Sequence, residues 1–326
     1  MILRIVIVDR SDGADSSRLG DLGSAVNVPG AEFKVQRLLP ADLRQVHPDT
    51  SVVFVRAGYW NDVERLLELA PAVSWVHVNM TGVDHLPVDR MESAGVILTN
   101  CRGVLDLAIA EFVLGSVLLW SKGLLRSALD TRERRTDYRE PKANSELNAL
   151  IIGTGNIGSE CARVFRQAGF GRIVGIRRTP VPLPDFDDVA SVEVLPIQIS
   201  QHDVVVSCLP ATSATDGLIG SAVLRQLRKE SVFINVGRGS TVDHMALAEE
   251  MNARAGTVAV LDVTEPEPLP MDHPLWDCSN VVISPHMSGD TVGRHDAFAA
   301  LFVENLRRYC SGDELLNRVG QPPESA

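Results

Sequence analysis

Three short segments of this chain carry side chains that can grip an anion and move a proton. Asn235-Val-Gly-Arg-Gly239 sets Arg238 between two glycines, a cation with room to approach a carboxylate. Leu261-Asp-Val-Thr-Glu-Pro-Glu-Pro-Leu-Pro270 holds Glu267, and two positions earlier Glu265, in a loop stiffened by proline. Ser284-Pro-His286 places a histidine, the side chain that exchanges a proton near neutral pH, directly after a proline. Taken singly, these are a surface arginine, a solvated glutamate and a capped loop histidine. Each segment, however, follows an apolar run that reads as a strand, and together they supply anion binding, proton transfer and a carboxylate to orient the imidazole.

A fourth segment, Gly153-Thr-Gly-Asn-Ile-Gly158, is G-x-G-x-x-G. It follows the apolar run Ala149–Ile152 and opens a segment with helical apolar spacing, Asn156–Ala168, the setting in which such a loop cradles a dinucleotide pyrophosphate. Gly153 permits the tight turn, Gly155 the approach of the phosphate and Gly158 close packing of helix on strand. Helix-start N–H groups then face the anion. The alternative is a glycine-rich turn without a ligand. An NAD-specific site would show an acid at the end of the next strand, about twenty residues on. Here that strand reads Ile173-Val-Gly-Ile-Arg-Arg178. Arg177 and Arg178 suit a ribose 2′-phosphate in charge and in bidentate geometry, so NADP(H) is expected over NAD(H). The alternative is a solvated basic loop.

The elements that must position these groups alternate. Ile2–Val8, Phe33–Leu38, Val52–Val55 and Val73–Val78 read as strands, with a helix over Asn61–Ala70. A second series runs Ala149–Ile152, Ile173–Ile176, Val204–Ser207, Val232–Val236, Val258–Asp262 and Val281–Ser284. Strands alternating with helices imply parallel sheets covered on both faces, whose ligands bind beyond the carboxyl ends of the strands. Leu105–Leu125 reads as one apolar helix, buried or at an interface, since Glu111 and Lys122 interrupt it as a membrane span. Thr131–Ser145 reads as a surface connection, and the tail from Gln321 as frayed.

A chain of 326 residues fits two domains. Its net charge of −11 disfavours nucleic acid and anionic membranes as partners. The five cysteines are widely spaced with no C-x-x-C, so neither a disulfide framework nor a metal site is expected. Met1–Asp9 reads as a buried strand with no room for a signal peptide, and a cytoplasmic location follows as an expectation.

The four motifs, in order and spacing, resemble those of the D-isomer-specific 2-hydroxyacid dehydrogenase family, from about residue 50 to about residue 310. Val83-Asp84-His85 and Thr99-Asn-Cys-Arg-Gly103 match weaker family patterns, whereas Ala211-Thr-Ser-Ala-Thr215 departs from the usual loop. The resemblance implies an α/β fold of two doubly wound parallel-sheet domains. A Rossmann dinucleotide-binding domain, 101–287, would be inserted in a flavodoxin-like substrate domain, 1–100 with 288–326. It implies hydride transfer between a nicotinamide cofactor and a small 2-hydroxy or 2-oxo acid, with glyoxylate/hydroxypyruvate-type reduction as the leading expectation, and a homodimer. By position, Arg238 would bind the substrate carboxylate and carbonyl, His286 would donate the proton and Glu267 would pair with His286, with Glu265 the competitor. Thr81 and Gly82 would offer N–H groups to the carboxylate. Cofactor contacts would fall on Asn156 and Ile157 in the glycine loop, and on Leu209, Pro210, Thr215, Val236, Gly237, Asp262 and Gly289. Two alternatives stand beside this reading. A phosphoglycerate-type dehydrogenase would want a basic cluster in residues 50–110, where Arg56, Arg90 and Arg102 are scattered. A non-catalytic nucleotide-sensing protein on the same fold would not need the intact Arg238, Glu267 and His286.

Overall fold

The computed structural model describes residues 2–8, 26, 28, 31–56, 61–138 and 140–320. Expectations that fall on Met1, on Asp9 and on the tail from Gln321 lie outside them. The chain divides into two compact units, Met1–Val104 with Thr291–Ala326, and Leu105–Asp290.

The first unit is built on β1 (Ile2–Val8), β2 (Glu32–Leu38), β3 (Val52–Val55), β4 (Trp75–Val78) and β5 (Ile97–Thr99), in the order β2-β1-β3-β4-β5. All pairings are parallel. Alternation along β1 sends Val6 and Val8 into one core, with Leu66 of α1 (Asn61–Leu69) and Met91 of α2 (Val88–Ser93). Ile5 and Ile7 enter the other, with Trp75 and Phe302 of the helix Arg294–Ser311. A sheet covered on both faces explains the unbroken runs of Val and Ile. Strand β5 and helix α2 are not apparent in the sequence, because three residues carry no measurable period and a six-residue helix carries less than two turns.

The second unit has seven parallel strands in the order β12-β11-β10-β9-β6-β7-β8. They are β6 (Asn148–Ile152), β7 (Arg172–Arg177), β8 (Asp188–Ser191), β9 (Val204–Ser207), β10 (Val232–Asn235), β11 (Val258–Leu261) and β12 (Val281–Ile283). The strand order reverses between β6 and β9, which creates the crevice where doubly wound sheets take their ligands. This is the Rossmann arrangement, and the first unit has the flavodoxin-like order. The run expected as one helix over Leu105–Leu125 is two: α3 (Asp106–Ser121) and α4 (Leu124–Arg132), bent by 60°. Gly123 takes φ +69, the left-handed conformation that ends a helix, and its N–H closes on Trp120 O at 2.9 Å. Apolarity all round hid the break, because a helix buried on most sides has no stripe to interrupt. Among the described residues, no single helix is long and apolar enough to cross a membrane.

Candidate active site

The glycine loop joins β6 to α5 (Asn156–Gln167) at the switch point. Gly153 has φ +94 and lies against the Cys208 carbonyl, 3.0 Å from where a Cβ would stand. A Cβ on Gly158 would fall 2.0 Å from Gly153 O, so only glycine lets the helix start this close to the turn. At Gly155 a Cβ would meet nothing within 4 Å. Gly155 is the N-cap of α5, whose first N–H groups have no intrahelical acceptor and no side-chain cap among the described residues. The Thr154 hydroxyl is enclosed without a partner among the described residues. An open face above unpaired donors is what a dinucleotide pyrophosphate requires. Gly175 matters to this loop, and no sequence motif marks it: Thr154 Cγ2 packs 2.6 Å from its would-be Cβ, so any larger residue would push the loop away.

Gly153 N–H donates to Ile176 O at 2.9 Å, so Arg177, the last residue of β7, and Arg178 after it follow directly from the residue that holds the loop. Leu209 is buried against Gly153. Thr215 Oγ1 donates to Pro210 O at 2.6 Å and accepts from Thr212 N–H at 3.0 Å, which ties its loop upon itself. Val236 N–H donates to Ser207 O at 3.0 Å, extending the ladder past the end of β10.

Arg238 follows in a turn held from three sides. Asn235 Nδ2 and Thr241 Oγ1 both donate to Arg238 O, at 3.1 and 2.7 Å, and Gly237 N–H donates to Asn235 Oδ1 at 3.2 Å. A Cβ on Gly239 would come within 2.1 Å of the Thr264 carbonyl. The missing side chain therefore lets the arginine turn press onto the loop that carries the glutamates.

His286 and Glu267 meet as the sequence leads one to expect, with Nδ1 to Oε1 at 2.8 Å and both side chains about half exposed. With Nδ1 engaged by the carboxylate, Nε2 is the nitrogen left to exchange a proton. Glu265 is exposed, and no bond to His286 is seen. His286 sits at φ +52, a conformation uncommon for residues with a Cβ. Buried Asp262, at the end of β11, holds the turn: Oδ1 accepts from Ser284 Oγ at 2.7 Å and Met287 N–H at 2.8 Å, and Oδ2 from Ser288 N–H at 2.9 Å. The residues bonded to Asp262 therefore bracket His286. Gly289 packs against Leu105 and Ile109 of the α3 region.

In the first unit, Thr81 and Gly82 lie in the loop after β4, half-buried. Arg90, one candidate for a phosphate site, is engaged by Glu64 and Glu68 at 3.4 and 3.2 Å.

Residues 114–288 match the D-isomer specific 2-hydroxyacid dehydrogenase family, NAD binding domain, which is more than half of the chain. A glyoxylate reductase of Korarchaeum cryptofilum is 30% identical over 268 residues, 78% of this chain and 79% of that protein. The chain belongs to the D-isomer specific 2-hydroxyacid dehydrogenase family. Among solved structures, a D-isomer specific 2-hydroxyacid dehydrogenase of Xanthobacter autotrophicus Py2 in complex with NADPH and MES superposes with a TM-score of 0.81, at 28% identity and covering 98% of each chain. The NADPH-dependent glyoxylate/hydroxypyruvate reductase of Sinorhizobium meliloti, in complex with NADP and malonate, gives 0.75 at 26% identity, covering 98% of this chain and 97% of that one. As a member of this family, the chain is a dehydrogenase that takes a nicotinamide cofactor and a small 2-hydroxy or 2-oxo acid.

Proposed function

We propose that this dehydrogenase works as an NADPH-preferring 2-oxoacid reductase of the glyoxylate/hydroxypyruvate type. The observation that carries the reading is the His286–Glu267 pair at 2.8 Å, on a loop pinned by Asp262, in the same unit as the arginine turn and the glycine loop. The relatives named as glyoxylate reductases and the NADP complex of one of them support the substrate class and the cofactor.

In this reading a nicotinamide cofactor, when bound, would supply the hydride for the 2-carbon of the acid. Arg238 binds the substrate's carboxylate and carbonyl oxygen, and the N–H groups of Thr81 and Gly82 meet the carboxylate. His286 Nε2 gives its proton to the oxygen that becomes the hydroxyl, while Glu267 on Nδ1 stabilises and orients the charged ring. Oxidation runs the proton back to neutral His286. Gly153, Gly155, Asn156, Ile157 and Gly158 take the pyrophosphate, and Leu209, Pro210, Thr215, Val236, Gly237, Asp262 and Gly289 line the rest of the cofactor site. Arg177 and Arg178 bind the 2′-phosphate; Arg177 ends β7 and Arg178 follows it, with no acid at the strand end.

The unit of residues 105–290 serves as the dinucleotide domain and the other as the substrate domain. A cytoplasmic homodimer, without nucleic-acid or membrane partners, completes the proposal. Leu107 and Leu124, 48% and 54% exposed on α3 and α4, favour burial against a second copy. The engagement of Arg90 by two glutamates argues against a phosphoglycerate-type substrate. The test is the initial rate of NADPH and NADH consumption with glyoxylate, hydroxypyruvate, pyruvate and 3-phosphohydroxypyruvate. Highest kcat/KM with the first two and NADPH supports the reading. No turnover of any acid would favour a nucleotide-sensing protein.

A further inference from the structure

The loop after β4 shows how two successive N–H groups come to face one way. Met80 O accepts from Cys101 N–H at 2.7 Å, and Thr81 O accepts from Asn100 Nδ2 at 2.7 Å. In a trans peptide the C=O and the following N–H point in opposite directions. Two consecutive carbonyls aimed at residues 100–101 therefore aim the N–H groups of Thr81 and Gly82 away from them, on a common side. Neither N–H has a backbone acceptor among the described residues, and the Thr81 hydroxyl beside them is enclosed and unpartnered. Consecutive N–H groups directed to one side form a concavity suited to an anion.

One of the two restraints is a side chain. Asn100 is 7% exposed and its amide is committed at both ends, Nδ2 to Thr81 O and Oδ1 to Arg102 N–H at 3.3 Å. Those partners, a pure acceptor and a pure donor, fix which way the amide lies. Behind it, Asn317 takes φ +57 and its Nδ2 donates to Asn100 O at 3.3 Å and Arg102 O at 2.7 Å, while Asn317 O accepts from Asn100 N–H at 3.2 Å. The segment around Asn317 pairs back along β5 through Val319 N–H to Leu98 O at 2.9 Å.

We propose that Asn100 is a positioning residue for substrate binding: by holding the Thr81 carbonyl, it presents the Gly82 N–H to the substrate carboxylate, and Asn317 holds Asn100 in place. This rests on the proposed function, in which the Thr81 and Gly82 N–H groups meet that carboxylate. The carboxylate is unchanged during hydride transfer, so the loss falls on KM for the 2-oxo acid and leaves kcat in place.

The experiment uses the full-length protein with NADPH, glyoxylate as substrate and oxamate as the unreactive carboxylate probe. Asn100→Ala removes the donor. Asn100→Asp keeps the shape and the Arg102 bond but turns an acceptor toward the Thr81 carbonyl. Expected is a rise of about tenfold in KM for glyoxylate in either variant, the size of one lost hydrogen bond. NADPH affinity by fluorescence and kcat should change less than twofold. In amide spectra, oxamate should shift the Thr81 and Gly82 N–H signals in the wild type, and shift Gly82 less in the variants. Should both variants fail to fold, Asn317→Ala, which leaves the Asn100 amide intact, is expected to give the same split at smaller size. A folded variant whose glyoxylate KM stays within twofold of wild type overturns the proposal. So does a KM rise matched by equal losses of kcat and NADPH affinity, the mark of a merely structural role. Wild-type Thr81 and Gly82 signals that ignore oxamate would instead overturn the underlying assignment of these groups to the carboxylate.

Discussion

The strand ends of the two units handle polar groups in opposite ways. Beyond β10, β11 and β12, the second unit displays charged side chains on short, braced turns: Arg238 behind Asn235 and Thr241, His286 behind Asp262. Beyond β4 and β5, the first unit buries Asn100 and leaves the N–H groups of Thr81 and Gly82 without a backbone acceptor among the described residues, with Asn100 and Asn317 as the braces. Two histidines make the contrast concrete. His286 is about half exposed and pairs with a carboxylate. His77 in β4 is fully buried, its Nδ1 on Thr99 Oγ1 at 2.8 Å and its Nε2 3.5 Å from Cys101 Sγ, and burial pushes its pKa down to about 3. A neutral histidine locked in a core cannot trade protons at ordinary pH. The difference teaches that residue type alone does not make an acid–base group; exposure and the partner decide.

The largest expected effect lies on the exposed histidine. His286→Gln should cut kcat for 2-oxo acid reduction by roughly 10²–10⁴-fold, as for any positioned general acid, with NADPH binding by fluorescence nearly unchanged. His77→Gln should leave kcat within a fewfold, and equal kcat losses in the two variants would break the contrast.

Next comes the brace. Asp262→Asn keeps the shape but turns an N–H₂ toward a loop that offers donors at Ser284 Oγ, Met287 N–H and Ser288 N–H. Leaving one such buried group unsatisfied costs about 1–3 kcal/mol, so kcat should fall by about 5–150-fold. A variant with wild-type kcat would show that His286 is held without Asp262.

A smaller effect is expected for Arg177→Ala combined with Arg178→Ala. The KM for NADPH should rise about tenfold or more while that for NADH stays level, since charge-assisted bonds to phosphate are lost. Equal use of the two cofactors by the wild type would contradict the assignment.

The last effect is on stability in acid and leaves the rate at neutral pH in place. His77 titrates near 6.5 when unfolded and near 3 when folded, where burial disfavours the charge. Below about pH 6.5 the unfolded chain takes up a proton that the folded chain refuses, so stability falls as pH drops toward 3, by up to about 1.4 kcal/mol per pH unit. His244 in the second unit, lowered to about 4 by burial and then by His273, adds in the same direction. Urea midpoints between pH 7 and 4 should fall less steeply in His77→Gln than in wild type; identical slopes would mean that His77 is not the group responsible.

Legibility followed the same division. The second unit's candidate site is marked in the chain by glycines and charges at fixed offsets from apolar strands, Gly153–Gly158, Arg238, Glu267 and His286, of which the fold brings Glu267 and His286 into contact. Strand positions were legible as short apolar runs or, in β2, by the alternation of Phe33 and Val35 with polar residues, whereas β5 has three residues and β8 has one β-branched residue, Val189, in four. The braces were not legible. Asn100 and Asn317 are ordinary loop asparagines, and Asn235 is the last residue of β10, with nothing in the chain to mark their bonds to Thr81, Arg102 and Arg238. Asp262 read as a cofactor contact, and its three bonds to the His286 loop span more than twenty residues of sequence, which no local pattern encodes.

The proton role of His286 is the centre of the account, and kcat/KM against pH in both directions tests it most directly. In the wild type, reduction of glyoxylate with NADPH takes up a proton and oxidation of the product with NADP releases one, so the first should fall with rising pH and the second should rise over the same interval. His286→Gln should abolish both limbs together. Limbs at different pH, or either limb surviving in His286→Gln, would contradict the assignment of the proton to this histidine.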